Sequence, residues 1–310
     1  MFFRSRLLVV VLLAGCAAAP PPQPPAPAPK VALSGLLAAV NKAPGIRALP
    51  PDLTPSLATA AADVGFDNEK CEAAPAADRM DTPCVFGDPA GAERVVLFGD
   101  SHAGMWLPAM SEIATHRHWR LEFYGKPACP APRLTFWNQQ EARPFDECDR
   151  FRDYVIDQVR AARPALVVVT SESFSQKLGR GVLVTPAQWK TGLITTLNAL
   201  SLVAGRVVVL GDTPVLDRSG PECLAAHTRN VTACFTSRAK ATARVWNAAE
   251  KSAAGSAGAD YISVLPWLCG TVCTPVIGNV AVYRNRFHLT GTYARMLTGV
   301  LEQALVGDVS

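Results

Sequence analysis

The chain has 310 residues, 49% of them hydrophobic and 18% charged, with a formal net charge of +4. Such high aliphatic content with so little net charge excludes wholesale disorder. With 30 basic against 26 acidic residues and no basic block, it also excludes a dedicated nucleic-acid binder. The longest apolar run, Leu7 to Gly15, is about half of the ~20 residues a spanning helix needs, which excludes a polytopic membrane protein.

The first 30 residues read as targeting and spacer. Arg4 and Arg6 precede a short apolar stretch, Leu7 to Leu13, which ends in Leu13-Ala14-Gly15-Cys16. This is the pattern of a bacterial lipobox, with residues 1–15 as signal peptide and Cys16 lipidated as the mature N-terminus. A plain signal peptide with a small-residue cleavage site is the alternative. Acyl chains on Cys16 would anchor the domain to the cell membrane at its extracytoplasmic face. Residues 16–30 are nearly all Ala and Pro after the cysteine, as in an extended, semi-rigid linker. Residues 31–93 hold one apolar helical stretch, Val31 to Val40, then Pro-rich turns at Pro44, Pro50, Pro51 and Pro55. They are expected to form an irregular extension packed on the main domain.

From residue 94 to 310 the pattern changes. Strand candidates are Val95–Phe98, Leu121–Tyr124, Leu166–Thr170, Val207–Leu210 and Tyr261–Val264. Helix candidates are Gly104–Thr115, Phe151–Ala162, Pro186–Val203, Arg238–Ala253 and Thr290–Ala304. Short β-branched runs separated by helices predict an α/β domain, a parallel sheet covered on both faces. Ligands on such sheets sit at the carboxyl ends of the strands, so the loops there are where chemistry is sought.

Besides Cys16, eight cysteines remain, as suits an oxidising compartment. Counting does not fix their connectivity. Sequential pairing is expected because each pair closes a short loop: Cys71–Cys84, Cys129–Cys148, Cys223–Cys234 and Cys269–Cys273. Cys269 and Cys273 are also close enough to share a metal, but no second Cys/His pair lies near them, so no metal site and no cofactor are expected.

The sharpest chemical signal is Val95-Val96-Leu97-Phe98-Gly99-Asp100-Ser101-His102-Ala103. A strand runs into a Gly turn and then a helix, which sets Ser101 at a helix N-terminus. Unpaired N–H groups and the helix dipole there favour the oxyanion that a serine nucleophile creates. Ser101 as a plain N-cap is the structural alternative. Near the other end, Asn285-Arg286-Phe287-His288-Leu289-Thr290 enters the final helix, and His288 is the candidate general base for Ser101. His102 adjoins Ser101 and is expected to pack locally or shape the pocket. Asp100 is expected to be a turn residue that bonds neighbouring amides. Trp106 and Trp267 are weighed as a sugar platform, with Trp106 more readily a core residue.

Gly-Asp-Ser-His early in the domain and His-Leu-Thr near its end resemble the SGNH (GDSL-like) hydrolases. More narrowly, they resemble the extracytoplasmic SGNH domain fused to membrane acyltransferase-3 proteins. The likeness includes Gly87-Asp88, Gly125-Lys126-Pro127-Ala128-Cys129-Pro130, Gly211-Asp212-Thr213-Pro214, Cys223-Leu224 and the run from Trp267 to His288, and covers about residues 50–305. It implies a three-layer α/β/α sandwich with a central parallel sheet, the flavodoxin-like SGNH fold. It also implies Ser101 as nucleophile, His288 as base, and an Asp three residues before the histidine. Here that residue is Asn285. A neutral amide hardly stabilises an imidazolium and fixes its tautomer in one flip state only; the comparable Asp-to-Asn change in a serine protease costs about 10⁴ in turnover. Three outcomes follow: a Ser–His dyad steadied by a backbone carbonyl or the Asn285 oxygen, a substitute acid such as Asp260, or a domain that mainly binds. Gly125 is the candidate for the second oxyanion donor. No Gly-x-Asn-Asp follows the third strand, which leaves Ser171 or Ser173 as possible stand-ins.

The function expected from this resemblance is a membrane-anchored SGNH-type serine esterase or O-acyltransferase acting on acyl esters of cell-envelope glycans. A membrane acyltransferase would be its partner. The competing expectation is a non-catalytic SGNH-like lipoprotein that binds glycan or scaffolds such a partner.

Overall fold

The computed structural model describes residues 32–242 and 244–307. The signal peptide, Cys16 and the Ala/Pro linker lie outside the described residues. Six strands form the central sheet: β1 (Cys84–Gly87), β2 (Glu93–Gly99), β3 (Trp119–Gly125), β4 (Leu166–Thr170), β5 (Arg206–Leu210) and β6 (Asp260–Ile262). Their order is β1-β3-β2-β4-β5-β6. All pairings are parallel except β1 with β3, so the segment before residue 94 supplies an antiparallel edge strand.

Alternation along the strands builds two cores. Val95 and Leu97 face one layer and Val96 and Phe98 the other, all buried. The first layer holds α1 (Leu33–Lys42), α2 (Ser101–Arg117) and the C-terminal helices α6 (Gly291–Met296) and α7 (Thr298–Val306). The second holds α3 (Asp146–Ala162), α4 (Pro186–Ser201) and α5 (Arg244–Ser256). This is the three-layer α/β/α arrangement. The chain leaves β2 toward β3 on one side and returns through β4 on the other, so the strand order reverses at β2, where such sheets bind ligands.

Several expected elements differ. The first helix begins at Ser101 rather than Gly104, because Asp100 caps it by accepting the His102 N–H at 2.8 Å. The stretch 238–253 is two helices, Arg238–Ala241 and α5, because Thr242 is extended. The last helix divides at Leu297 into α6 and α7. β6 ends at Ile262, and Val264 instead starts a short 3₁₀ turn.

The four disulfides are Cys71–Cys84, Cys129–Cys148, Cys223–Cys234 and Cys269–Cys273. The last bond occupies both thiols of the one Cys pair spaced closely enough to share a metal. Among the described residues no helix is long and apolar enough to cross a membrane.

Candidate active site

The turn after β2 is shaped by Gly99. Its φ is +156°, and a Cβ there would collide with the Thr170 carbonyl of β4. Only glycine lets β2 and β4 close up at this point. Asp100 then fixes the turn in the way a capping residue does. Its buried carboxyl also accepts the Glu172 N–H at 3.0 Å, which ties the β2 and β4 loops together. Ser101 follows at the first helical position and is half-buried.

The loop carrying His288 is equally constrained. Tyr283 and Leu289 form an antiparallel bridge, and the Arg284 N–H bonds the His288 carbonyl at 2.9 Å. Asn285 makes the turn between them: its Oδ1 accepts the N–H groups of Phe287 (3.0 Å) and His288 (2.8 Å). The loop is tied to α2 by the Leu289 N–H on Met105 Sδ and to the β5 loop by Thr213 Oγ1 on the Phe287 carbonyl. The result brings together two residues 187 positions apart: His288 Nε2 lies 2.8 Å from Ser101 Oγ.

The third member of this chain of contacts is Asn285. Its Nδ2 lies 2.8 Å from His288 Nδ1. An amide nitrogen only donates. Two backbone donors hold Oδ1, so the amide cannot turn its oxygen to the imidazole without facing NH₂ toward two N–H groups. Nδ1 is therefore the acceptor, Nε2 carries the ring proton, and Nε2–H donates to Ser101 Oγ. The expected stabilising role for the Asn285 oxygen is thus corrected: that oxygen serves the turn, and the imidazole rests in the tautomer opposite to that of a general base.

Asp260, the other proposed acid, is also ruled out by position. It begins β6, the edge strand three strands away from β2 and its Ser101 turn, and pairs with Arg206 Nε at 2.6 Å. Ser171 and Ser173 are likewise committed elsewhere. Ser171 Oγ accepts the Ala131 N–H, and Ser173 gives both its N–H and its hydroxyl to Asp212. Gly125 ends β3 opposite Gly99, and its carbonyl accepts the Ala73 N–H at 2.8 Å. Trp106 and Trp267 are buried against each other at 6.2 Å, so they are core and no platform.

Two groups near the dyad escaped the sequence reading. Glu72 Oε1 sits where a Gly104 side chain would lie, one helical turn beyond Ser101. Burial pushes its carboxyl up to about 7, against the pull of Arg284. Asp212, known only as part of a Gly-Asp-Thr-Pro motif, lies 2.6 Å from His102 Nδ1. Position next to a cysteine or a glycine gave no sign that Glu72 would lie beside Gly104 or Asp212 against His102.

Electrostatics at the site oppose a cationic His288. Burial, the neighbouring His102 and Arg284 push its pKa down to about 2. Burial also raises the Asp100 carboxyl to about 7. Among the described residues no group of three or more His, Cys, Asp or Glu side chains is placed to hold a metal.

Residues 70–303 match the SGNH domain (fused to AT3 domains). The chain belongs to this family. Family membership supports esterase- or acyltransferase-type function in general. No curated protein matches the chain. Among solved structures it is similar to the periplasmic domain of a lipopolysaccharide acetyltransferase from Salmonella ser. Paratyphi A. That likeness has a TM-score of 0.56 and 13% identity, and covers 69% of this chain and 85% of that one. A putative acylhydrolase from Bacteroides fragilis NCTC 9343 shares 13% identity over 71% of this chain and 89% of its own, with a TM-score of 0.42. At such identities the Salmonella domain supports the fold.

Proposed function

We propose that this SGNH domain is an extracytoplasmic, membrane-anchored serine esterase or O-acyltransferase acting on acyl esters of cell-envelope glycans. Ser101 passes its proton to His288 as its Oγ attacks the acyl carbonyl, the ester C–O bond breaks, and the departing alkoxide takes that proton from His288. Water or a sugar hydroxyl then attacks the acyl-Ser101 carbonyl and loses its proton to His288, the acyl–Oγ bond breaks, and Ser101 Oγ takes that proton back as the acid or the acylated sugar leaves. The observation that carries this reading is the 2.8 Å contact between Ser101 Oγ and His288 Nε2, at the N-terminus of α2. Anchoring rests on Leu13-Ala14-Gly15-Cys16, and the glycan substrate on the kinship with a lipopolysaccharide acetyltransferase domain. A membrane acyltransferase fits as acyl supplier, since the family is described as fused to AT3 domains.

The Asn285 amide makes this chemistry slow. Before Nε2 can accept the Ser101 proton it must give up its own, and Nδ1 must gain one against the Asn285 NH₂. A second reading follows from that same contact: a domain that holds an acylated glycan without turning it over. Labelling by a serine-directed fluorophosphonate tests the choice. The enzyme reading expects labelling of the wild type that is lost in Ser101→Ala and faster in Asn285→Asp. Absence of labelling in both the wild type and Asn285→Asp, with glycan binding intact, would establish the second reading.

A further inference from the structure

Beside the reacting pair lies a complete histidine–carboxylate pair that the proposed chemistry does not use. His102 is wholly buried, and its Nδ1 donates to Asp212 Oδ1 at 2.6 Å. The same oxygen accepts the Thr213 N–H at 2.7 Å, and Oδ2 accepts the Ser173 N–H at 2.8 Å and hydroxyl at 2.9 Å. Every contact to the carboxylate is a donor, as an ionised carboxylate requires. Asp212 thus joins the ends of β2, β4 and β5, and Thr213 extends the tie to the Phe287 carbonyl beside His288. The His102 ring meets the His288 ring edge-on at 5.0 Å and stacks on Phe287 at 5.6 Å. Its Nε2 is buried and has no hydrogen-bond partner among the described residues.

We propose that His102 and Asp212 are positioning residues for the Ser101–His288 contact: they clamp the serine turn to the histidine loop and, as a buried His–carboxylate pair packed against it, keep a second proton off the His288 ring. This rests on reading Ser101 and His288 as the reacting pair. The groups facing His102 are Asp100 in its own turn, Glu172 after β4, Asp212 after β5, Glu250 on α5 and His288. Burial opposes a charged His102, yet Asp212, Asp100 and Glu172 together raise it to about 9. Burial raises Asp100, Glu172 and Glu250. The groups acting on His288 are His102 and Arg284, both of which oppose its protonation, with Asn285 on the far nitrogen. A buried cation beside an imidazole disfavours the second proton on that imidazole.

The test is an NMR titration of the His288 ring, assigned with His288→Gln, in the wild type, His102→Gln and Asp212→Asn. In the wild type the ring is expected to show no protonation step between about pH 5 and 8, where an unperturbed histidine titrates. In His102→Gln and in Asp212→Asn its midpoint moves up by about one pH unit or more. Ser173→Ala loosens the clamp without removing charge and leaves the midpoint where it was. A wild-type His288 that titrates near its ordinary value, or equal midpoints in the wild type and both charge variants, would overturn the proposal. A wild-type ring that titrates near its ordinary value overturns the proposal even where a variant does not fold. The titration does not depend on turnover, so midpoints that move in a protein without fluorophosphonate labelling leave the clamp standing and remove the enzyme reading instead.

Discussion

Asn285 stands where an aspartate would divide two tasks between two equivalent oxygens, and it performs one of them. One oxygen must take the Phe287 and His288 N–H groups to form the turn, and an amide can do that. The other atom must accept the imidazole proton, and an amide NH₂ cannot. Replacing Asn285 by Asp therefore leaves the loop geometry in place and reverses the His288 tautomer. Turnover of an activated ester is expected to rise by up to about 10⁴, the size of the reverse change in a serine protease. An unchanged rate would mean that His288 is not the base. The acid limb should also move: His288, held near 2 in the wild type, gains a carboxylate and rises. Activity that depends on neutral imidazole then falls off at a higher pH than before. Gly99 governs the same site through sterics alone. Gly99→Ala forces a Cβ against the Thr170 carbonyl at a φ of +156°. A loss of about 2–4 kcal/mol in urea unfolding is expected, together with loss of serine labelling; a near-neutral substitution would show that β2 and β4 can separate freely.

At the scale of elements, α4 is the one whose start is most completely specified. Thr185 accepts the Gln188 N–H, Gln188 Oε1 accepts the Thr185 N–H, and Pro186 occupies the first position. Thr185→Ala removes half of that box and is expected to cost about 1 kcal/mol, read as a lower urea midpoint at unchanged slope. The sequence reading located this helix start at Pro186 because such signals are local. The same holds for the strands, whose β-branched runs need no partner to be recognised. It held less well for α2, whose first turn depends on the Asp100 cap, and for residues 238–253, where a helical composition continues across the extended Thr242. Ser101 and His288 were legible because each stands at a strand-to-helix junction with a short signature. Asp212 and Glu72 were not. Their importance arises from where the sheet and the crossing N-terminal segment bring them, and no neighbouring residue encodes that. The orientation of the Asn285 amide was also beyond the sequence, since it is set by two backbone donors that exist only once the turn has formed.

Over the whole molecule, the N-terminal extension is part of the site's wall. Cys71 is bonded to Cys84 on β1, Glu72 bridges Gly125 on β3, and the Ala73 N–H bonds the Gly125 carbonyl. Lys126, wholly buried at the end of β3, completes the attachment: its Nζ donates to the carbonyls of Ala74 (2.7 Å), Pro75 (2.7 Å) and Ala77 (2.8 Å). A buried ammonium is tolerated when each of its three N–H groups has an acceptor. Burial still lowers its pKa to about 8. Lys126→Met keeps the length of the stem and removes all three donors, leaving three carbonyls to find other partners. A loss of about 2–4 kcal/mol is expected. The disulfide continues to hold Cys71, so the loss falls first on residues 72–80, which open locally before the sheet does. Amide exchange in that segment should accelerate while the β2, β4 and β5 amides stay protected. Serine labelling should fall with it, because Glu72 and the Gly125 turn lose their support beside Ser101. Full protection of residues 72–80 in Lys126→Met would mean that the disulfide and the Gly125 contacts alone hold the extension in place, and that the buried lysine answers to some other demand.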